Sequence, residues 1–173
     1  MELIRAKQDD FSSIRNLYDD VICNTPGLET HARWKIGSHP TDETINEYIN
    51  QKSMYMCMEE SKLVGAMAIP MEQGEEYHNV KWDLQSTEDE VATLHIFAVA
   101  SEFQGRGFGK KMIRMAWDLA KRNGKKVFRL DTLASNIPAQ TMYEKLGFKL
   151  KGKQNLYAGN TGWTDFLYYE KDL

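Results

Sequence analysis

Between Leu94 and Asn123 the chain passes from an apolar, strand-like stretch, Leu94-His95-Ile96-Phe97-Ala98-Val99, into a loop with three glycines, Gln104-Gly105-Arg106-Gly107-Phe108-Gly109, and then into a strongly amphipathic run. Positions 108, 112, 115, 116, 119 and 120 fall on one apolar stripe, with Lys110, Lys111, Arg114, Asp118 and Lys121 opposite, which predicts a helix over 108–123. Gly124 stops it. A strand, a glycine loop and a helix start together present unpaired N–H groups and a backbone that a ligand can approach closely, a natural seat for an anion. Two familiar phosphate loops fail on spacing. A dinucleotide G-x-G-x-x-G counted from Gly105 meets Lys110 at its sixth position, and a G-x-x-x-x-G-K-[ST] loop meets Gln104 and Lys111 where Gly and Ser/Thr are required. What remains is Q-x-x-G-x-G on Gln104, Gly107 and Gly109, either a cradle for a phosphorylated group or a turn with only a structural job.

The rest of the chain supplies a mixed set of elements. Leu3 to Ala6 reads as a short strand, and Asp9 or Asp10 can cap a helix whose apolar positions are Phe11, Ile14, Leu17, Tyr18, Val21 and Ile22. Pro26-Gly27 ends it, and about Leu28 to His39 reads as an irregular flap. A short helix from Thr41 or Asp42 buries Ile45, Tyr48 and Ile49. Met54–Met58 and Leu63–Ile69 form a predicted hairpin, followed by a polar segment from Glu72 to Asp89 and a long apolar strand, Val91–Val99. Val127–Thr132 is the next strand. Asn136 then caps a short helix with Pro138 in its first turn, ending at Gly147 with Phe148 placed for the apolar contact that follows a helix C-terminus. Two closing strands, near Lys149–Tyr157 and Phe166–Lys171, flank Gly159-Asn160-Thr161-Gly162.

With 173 residues, no repeat and no linker, the expectation is a single domain spanning 1–173. Twenty-two Lys+Arg against 25 Asp+Glu give a formal charge of −3, which argues against a chain held to nucleic acid by bulk charge. Cys23 and Cys57 stand alone and the four histidines have no short ligand spacing, so neither a disulfide framework nor a metal site is expected. Met1-Glu2-Leu3-Ile4-Arg5 lacks a signal-peptide pattern, and no apolar run approaches the ~20 residues of a membrane span. No membrane partner and a cytoplasmic location are the expectation.

The Q-x-x-G-x-G loop with its preceding strand, followed by Leu130-Asp131-Thr132, Asn136 and Tyr143-Glu144-Lys145-Leu146-Gly147-Phe148, resembles the GNAT superfamily of acetyl-CoA-dependent N-acetyltransferases. The resemblance covers most of the chain, with its specific motifs confined to about 94–148. It implies an α/β (α+β) GNAT fold: a mixed, mostly antiparallel sheet flanked by helices and splayed where acetyl-CoA binds. By that resemblance the backbone of Phe97, Ala98 and Val99 pairs with pantetheine and polarises the thioester oxygen. The amides of Gln104, Gly105, Arg106, Gly107, Phe108 and Gly109 hold the pyrophosphate, Arg106 and Lys110 add charge, and Asn136 contacts the cofactor's arm. Tyr143 becomes the general acid at the sulfur; read from the residues alone it is equally a packing residue at i+4 from Ala139. No metal is implied.

Charge distribution points the same way. Gly105 to Leu130 holds nine basic residues and one acid, Asp118, whereas Glu59 to Glu90 holds nine acids against Lys62 and Lys81. One region suits a phosphorylated cosubstrate and the other a cationic acceptor. An amine with a pKa of ~10.4 costs ~4–5 kcal/mol to deprotonate at pH 7, so a base or a water chain is needed. Strand alternation puts Thr93, His95, Phe97 and Val99 on one face. Position 93, a common site for the base in the superfamily, is Thr. His95 is the leading candidate, with a hydrogen-bonded core histidine as its alternative, and Glu90 acting through water is second. The expected reaction is direct acetyl transfer to a primary amine of a small molecule. A protein or peptide acceptor and a CoA-binding sensor without turnover are the alternatives. Dimers are common in the superfamily, so a homodimer is open to this chain.

Overall fold

The computed structural model describes all 173 residues, Met1–Leu173. Its strands are β1 (Glu2–Arg5), β2 (Met54–Glu59), β3 (Lys62–Ala68), β4 (Val91–Val99), β5 (Val127–Leu133), β6 (Lys149–Ala158) and β7 (Gly162–Asp172). The helices are α1 (Phe11–Asn24), α2 (Leu28–His31), α3 (Asp42–Asn50), α4 (Phe108–Arg122) and α5 (Ile137–Lys145). The strands form one seven-stranded sheet in the order β1-β2-β3-β4-β5-β7-β6, and only the β4–β5 pair is parallel. This is the mixed, mostly antiparallel sheet flanked by helices expected from the sequence.

Local chemistry explains most element limits. In α1 the spacing of Ile14, Leu17, Tyr18 and Val21 buries one stripe. Asp10 precedes it, but its carboxylate accepts from the Lys7 amide at 2.8 Å instead of capping α1. Thr41 caps α3 by accepting from the Thr44 amide at 3.1 Å, which leaves Ile45 and Ile49 to pack inward. Glu60 and Ser61 both take positive φ (48° and 66°) and close the β2–β3 hairpin tightly. The flap after Pro26 is more ordered than its composition suggests, with the single turn α2 and a bridge between Lys35 and His39.

Two irregularities in β4 shape the molecule. Ala66 and Ala68 of β3 face Ala98 and His95 of β4, so β4 carries an extra residue there, and Ile96 adopts φ +40°. On its other side β4 pairs with β5 through four residues only, Val91↔Val127 to Leu94↔Leu130. Beyond Leu94 and Leu130 the two strands part. Along β5, Phe128 faces Phe148 (ring centroids 6.2 Å) and the α4–α5 side, while Arg129 and Asp131 alternate to the opposite side, under residues 72–90.

Candidate active site

The parting of β4 and β5 opens a cleft of about 760 Å³. The bulged half of β4, from Leu94 to Val99, lines it, together with Gln104, Gly105 and Gly107 to Lys110 at the mouth of α4. Asn136 and Tyr143 of the α5 region complete this wall. Gly105 and Gly107 hold φ of +71° and +82°, a backbone path that L side chains resist. The Gln104 side chain locks the loop, donating to the Val99 carbonyl at 2.9 Å and to the Thr25 hydroxyl at 2.8 Å. Its side-chain nitrogen is therefore committed to the protein, and the loop's backbone and Lys110 present the N–H groups and the charge for a ligand.

Asn136 accepts from the Ala139 amide at 3.3 Å, starting α5 as its sequence position suggests. At the other end Gly147 (φ +85°) closes the helix, with Gly147 N–H on the Glu144 carbonyl at 2.9 Å and Phe148 N–H on the Tyr143 carbonyl at 3.1 Å. This termination fixes Tyr143, whose ring meets Phe148 edge-on at 5.7 Å and is 6% exposed. Burial, and to a lesser extent the charges of Asp131 and Tyr169, push the Tyr143 phenol well above its usual range. The hydroxyl therefore keeps its proton at any working pH and is available as a donor.

The other end of the cleft is aromatic. His95 stacks on Tyr48 (6.1 Å, 12°) and meets Tyr77 edge-on at 6.2 Å, and Trp34 and His39 also meet edge-on, at 5.7 Å. Burial lowers the pKa of His39, opposed by the charge of Asp131, and raises that of Tyr48 to about 12. Asp131 stands beside His95, Nδ1 to Oδ1 3.9 Å, and accepts from the Tyr77 hydroxyl at 2.7 Å. Over this end lies the 28–39 segment. Ser135 Oγ donates to the His31 carbonyl at 2.8 Å, and Arg33 donates to the Thr161 carbonyl of the β6–β7 turn at 2.8 Å.

The structure thus brings together His95, Phe97, Ala98, Val99, Gln104, Gly105, Gly107, Phe108, Gly109, Lys110, Asn136 and Tyr143. It leaves two of the expected residues outside. Glu90 is paired with Lys126, and it caps the Thr87 amide at 3.1 Å; both contacts hold its carboxyl below the usual range. Arg106 lies over the rings of Phe103 and Phe108 at 5.5 and 5.4 Å, behind these lining residues and not itself on the cleft wall. Thr93 does share the face of His95, beside residues 72–90, where it is 1% exposed and donates to the Glu72 carbonyl at 2.8 Å. Phe97 and Val99, grouped with them by alternation, instead pack toward Gly109 of α4, because the extra residue at Ile96 turns the strand over beyond His95. Asp131 and Tyr77 are the site residues that sequence reasoning missed. The one available signal was an acid in the middle of an apolar strand, Val127-Phe128-Arg129-Leu130-Asp131-Thr132-Leu133. No group of three His, Cys, Asp or Glu side chains converges as a metal site, and no helix is long and apolar enough to cross a membrane.

Comparison with known proteins bears on this geometry. The family model described as acetyltransferase (GNAT) matches residues 15–148. The chain is 28% identical over 102 residues to the uncharacterized N-acetyltransferase MJ1207 of Methanocaldococcus jannaschii, which covers 59% of this chain and 41% of that protein. The chain therefore spans less than half the length of that relative. Among solved structures it is similar to a GNAT family acetyltransferase of Listeria monocytogenes, with TM-score 0.74 and 26% identity over 99% of this chain and 94% of that one. It also shares its fold with yncA of Salmonella typhimurium, solved with its cofactor acetyl-CoA, at TM-score 0.69 and 20% identity over 100% and 94% of the two chains.

Proposed function

The chain belongs to the GNAT acetyltransferase family, and from that premise we propose that it moves an acetyl group from acetyl-CoA to the primary amine of a small-molecule acceptor. The observation that carries this reading is the parting of β4 from β5 directly beside the glycine loop. The residues present fit the cosubstrate. The free edge of Phe97, Ala98 and Val99 offers strand-type hydrogen bonds to a pantetheine arm, and the amides from Gly105 to Gly109 with Lys110 suit a pyrophosphate. Asn136, its amide nitrogen unused by the helix cap, reaches the same wall. The yncA structure, of the same fold, holds acetyl-CoA.

The chemistry follows from the two ends of the cleft. An acceptor ammonium gives a proton to His95, directly or through water, and its nitrogen attacks the acetyl carbonyl carbon. The C–N bond forms, the C–S bond breaks, and the second proton of the attacking nitrogen passes through water to the departing sulfur, so the products are the amide and the free thiol of coenzyme A. The electron pair leaves on sulfur, where the Tyr143 hydroxyl donates a hydrogen bond and with it a share of its proton. A thiolate is a weaker base than a tyrosinate, so stabilisation of the leaving group by hydrogen bonding is the larger part of that role. The bonds from His31 to Ser135 and from Arg33 to Thr161 tie down the 28–39 segment, which walls the acceptor end with Leu28, Ala32, Trp34 and His39 and favours a compact acceptor over a protein chain.

The test is thiol release from acetyl-CoA at pH 8 across amines, amino acids, aminoglycosides and short peptides, for the wild type and Tyr143→Phe. Release with small amines is expected, with kcat down about 10²-fold or more in Tyr143→Phe and acetyl-CoA binding retained. Near-wild-type turnover in that variant removes Tyr143 from the mechanism. Acetyl-CoA binding without release from any acceptor favours a sensor.

A further inference from the structure

We infer that Asp131 is the acceptor-binding carboxylate of this cleft, and that it selects primary ammonium compounds whose amine-bearing carbon carries no carboxylate. The inference rests on the acetyl-transfer reading above and names its acceptor class.

Asp131 is the one acid in the cleft lining, and Lys110, at the glycine-loop end, is the one Lys or Arg. The cleft is therefore polarised along its length, with a cation where the pyrophosphate would lie and an anion at the aromatic end. Asp131 follows Leu130, the last β5 residue paired with β4, so it sits where the strands begin to part. Its side chain is 22% exposed, and the Tyr77 hydroxyl occupies Oδ1 at 2.7 Å. No Lys or Arg pairs with it, and its basic neighbours are two histidines, His95 at 3.9 Å and His39. A half-buried carboxylate without a cation is a costly arrangement unless a ligand supplies the charge. An ammonium does so with charge-assisted hydrogen bonds, and the ring faces of Tyr48 and Trp34 that line the same end favour a cation too.

The same arrangement rejects a neighbouring carboxylate. The arginines nearest this end are committed elsewhere: Arg33 to the Thr161 carbonyl, Arg15 to Asp19 and the Pro40 carbonyl, and Arg129 to Glu170. An α-amino acid would bring its carboxylate against Asp131 with nothing to neutralise it. The titratable groups around Asp131 (His95, His39, Tyr48, Tyr77, Tyr143 and Tyr168) include no permanent cation.

Matched pairs that differ by that one group test the inference: agmatine against arginine, tyramine against tyrosine, and phenethylamine against phenylalanine. Each is assayed for kcat/KM with acetyl-CoA, and for calorimetric binding to protein saturated with coenzyme A. The decarboxylated partner is expected to win by at least tenfold, although its amine is the more basic and so the less often deprotonated. In Asp131→Asn, which keeps an oxygen for Tyr77, the preference should vanish and the KM for the amine should rise at least tenfold. Acetyl-CoA affinity should stay within twofold. Amino acids used as well as their partners, or a preference that survives in Asp131→Asn, overturns the inference while leaving acetyl transfer standing. Amine binding lost in Asp131→Asn, with no thiol released from any pair, supports it and sinks acetyl transfer instead. Should Asp131→Asn fail to fold, the wild-type pairs decide the matter alone.

Discussion

Ile96 holds φ +40°, a conformation that a β-branched side chain resists, and it does so in the strand that walls the cleft. Its carbonyl accepts a 2.6 Å hydrogen bond from the hydroxyl of Tyr18, which is 0% exposed. Burial, opposed in part by nearby Arg15, pushes that phenol well above its usual range, so the donor never ionises. Removing the hydroxyl in Tyr18→Phe orphans a buried carbonyl, and the expected loss of unfolding free energy is about 1–3 kcal/mol. Chemical denaturation measures it; a loss within a few tenths would mean that the bulge stands without Tyr18. At this scale the sequence was legible where spacing encodes a local geometry. Gly107, Asn136 and Gly147 could be placed because a loop, a cap and a helix end each demand a residue type at a fixed offset, whereas Tyr143 was singled out only by the resemblance. Asp131 could not, since the period of a strand says which face a residue takes but not where two strands part. Phe97 and Val99 misled for the same reason: one extra residue at the bulge voids the alternation that grouped them with Thr93 and His95.

Helix α1 reaches the glycine loop through a single carboxylate. Asp20 accepts from the Ser101 amide at 2.9 Å, the Ser101 hydroxyl at 2.8 Å and the Asn24 amide at 2.9 Å, and thereby caps the turn 101–103 that leads into the loop. Burial alone would raise the Asp20 pKa, but these hydrogen bonds outweigh it and hold it below the ordinary value. A carboxyl depressed in the folded state stabilises fully above its unfolded pKa of ~3.9, and that stability is lost as pH falls through the folded value. Asp20→Ala should therefore lower the unfolding free energy at pH 7, and the gap to wild type should narrow as pH drops through 4 toward 3. A gap that does not change with pH would show that the ionised form has no special part. The elements themselves were largely readable. Apolar period placed α1, α4 and the β2–β3 hairpin within a residue or two, while α2 and the turns of 75–79 and 88–90 escaped because single turns have no period to detect.

Across the whole molecule, charge counting along the chain misjudged where charge would act. Five of the nine acids from Glu59 to Glu90 have internal partners: Glu59 with the N-terminus, Asp83 with Lys151, Glu75 and Glu88 with His78, and Glu90 with Lys126. The cleft's acid, Asp131, comes from the basic run instead. Residues 72–90 are stapled to the sheet by a buried pair, Arg129 and Glu170, 3.7 Å apart and 3% and 1% exposed. Arg129 donates to Gln73, Leu84 and Ser86 and lies 4.1 Å over Trp82, while Glu170 accepts from the amides of Asp83 and Leu84. Glu170→Gln leaves the guanidinium buried without its countercharge, and about 3–5 kcal/mol of stability should go in urea unfolding. The double variant Arg129→Met/Glu170→Gln should recover part of it; additive losses would mean that the two charges act independently. No linear reading reveals such a pair, because its partners lie 41 positions apart and look like ordinary surface charges. The four-residue contact between β4 and β5 has a mechanical consequence as well. It makes the sheet two plates riveted along one short seam, and a ligand lying in the gap becomes further rivets. The grip on that ligand and the cohesion of the plates are then one quantity, read from opposite sides.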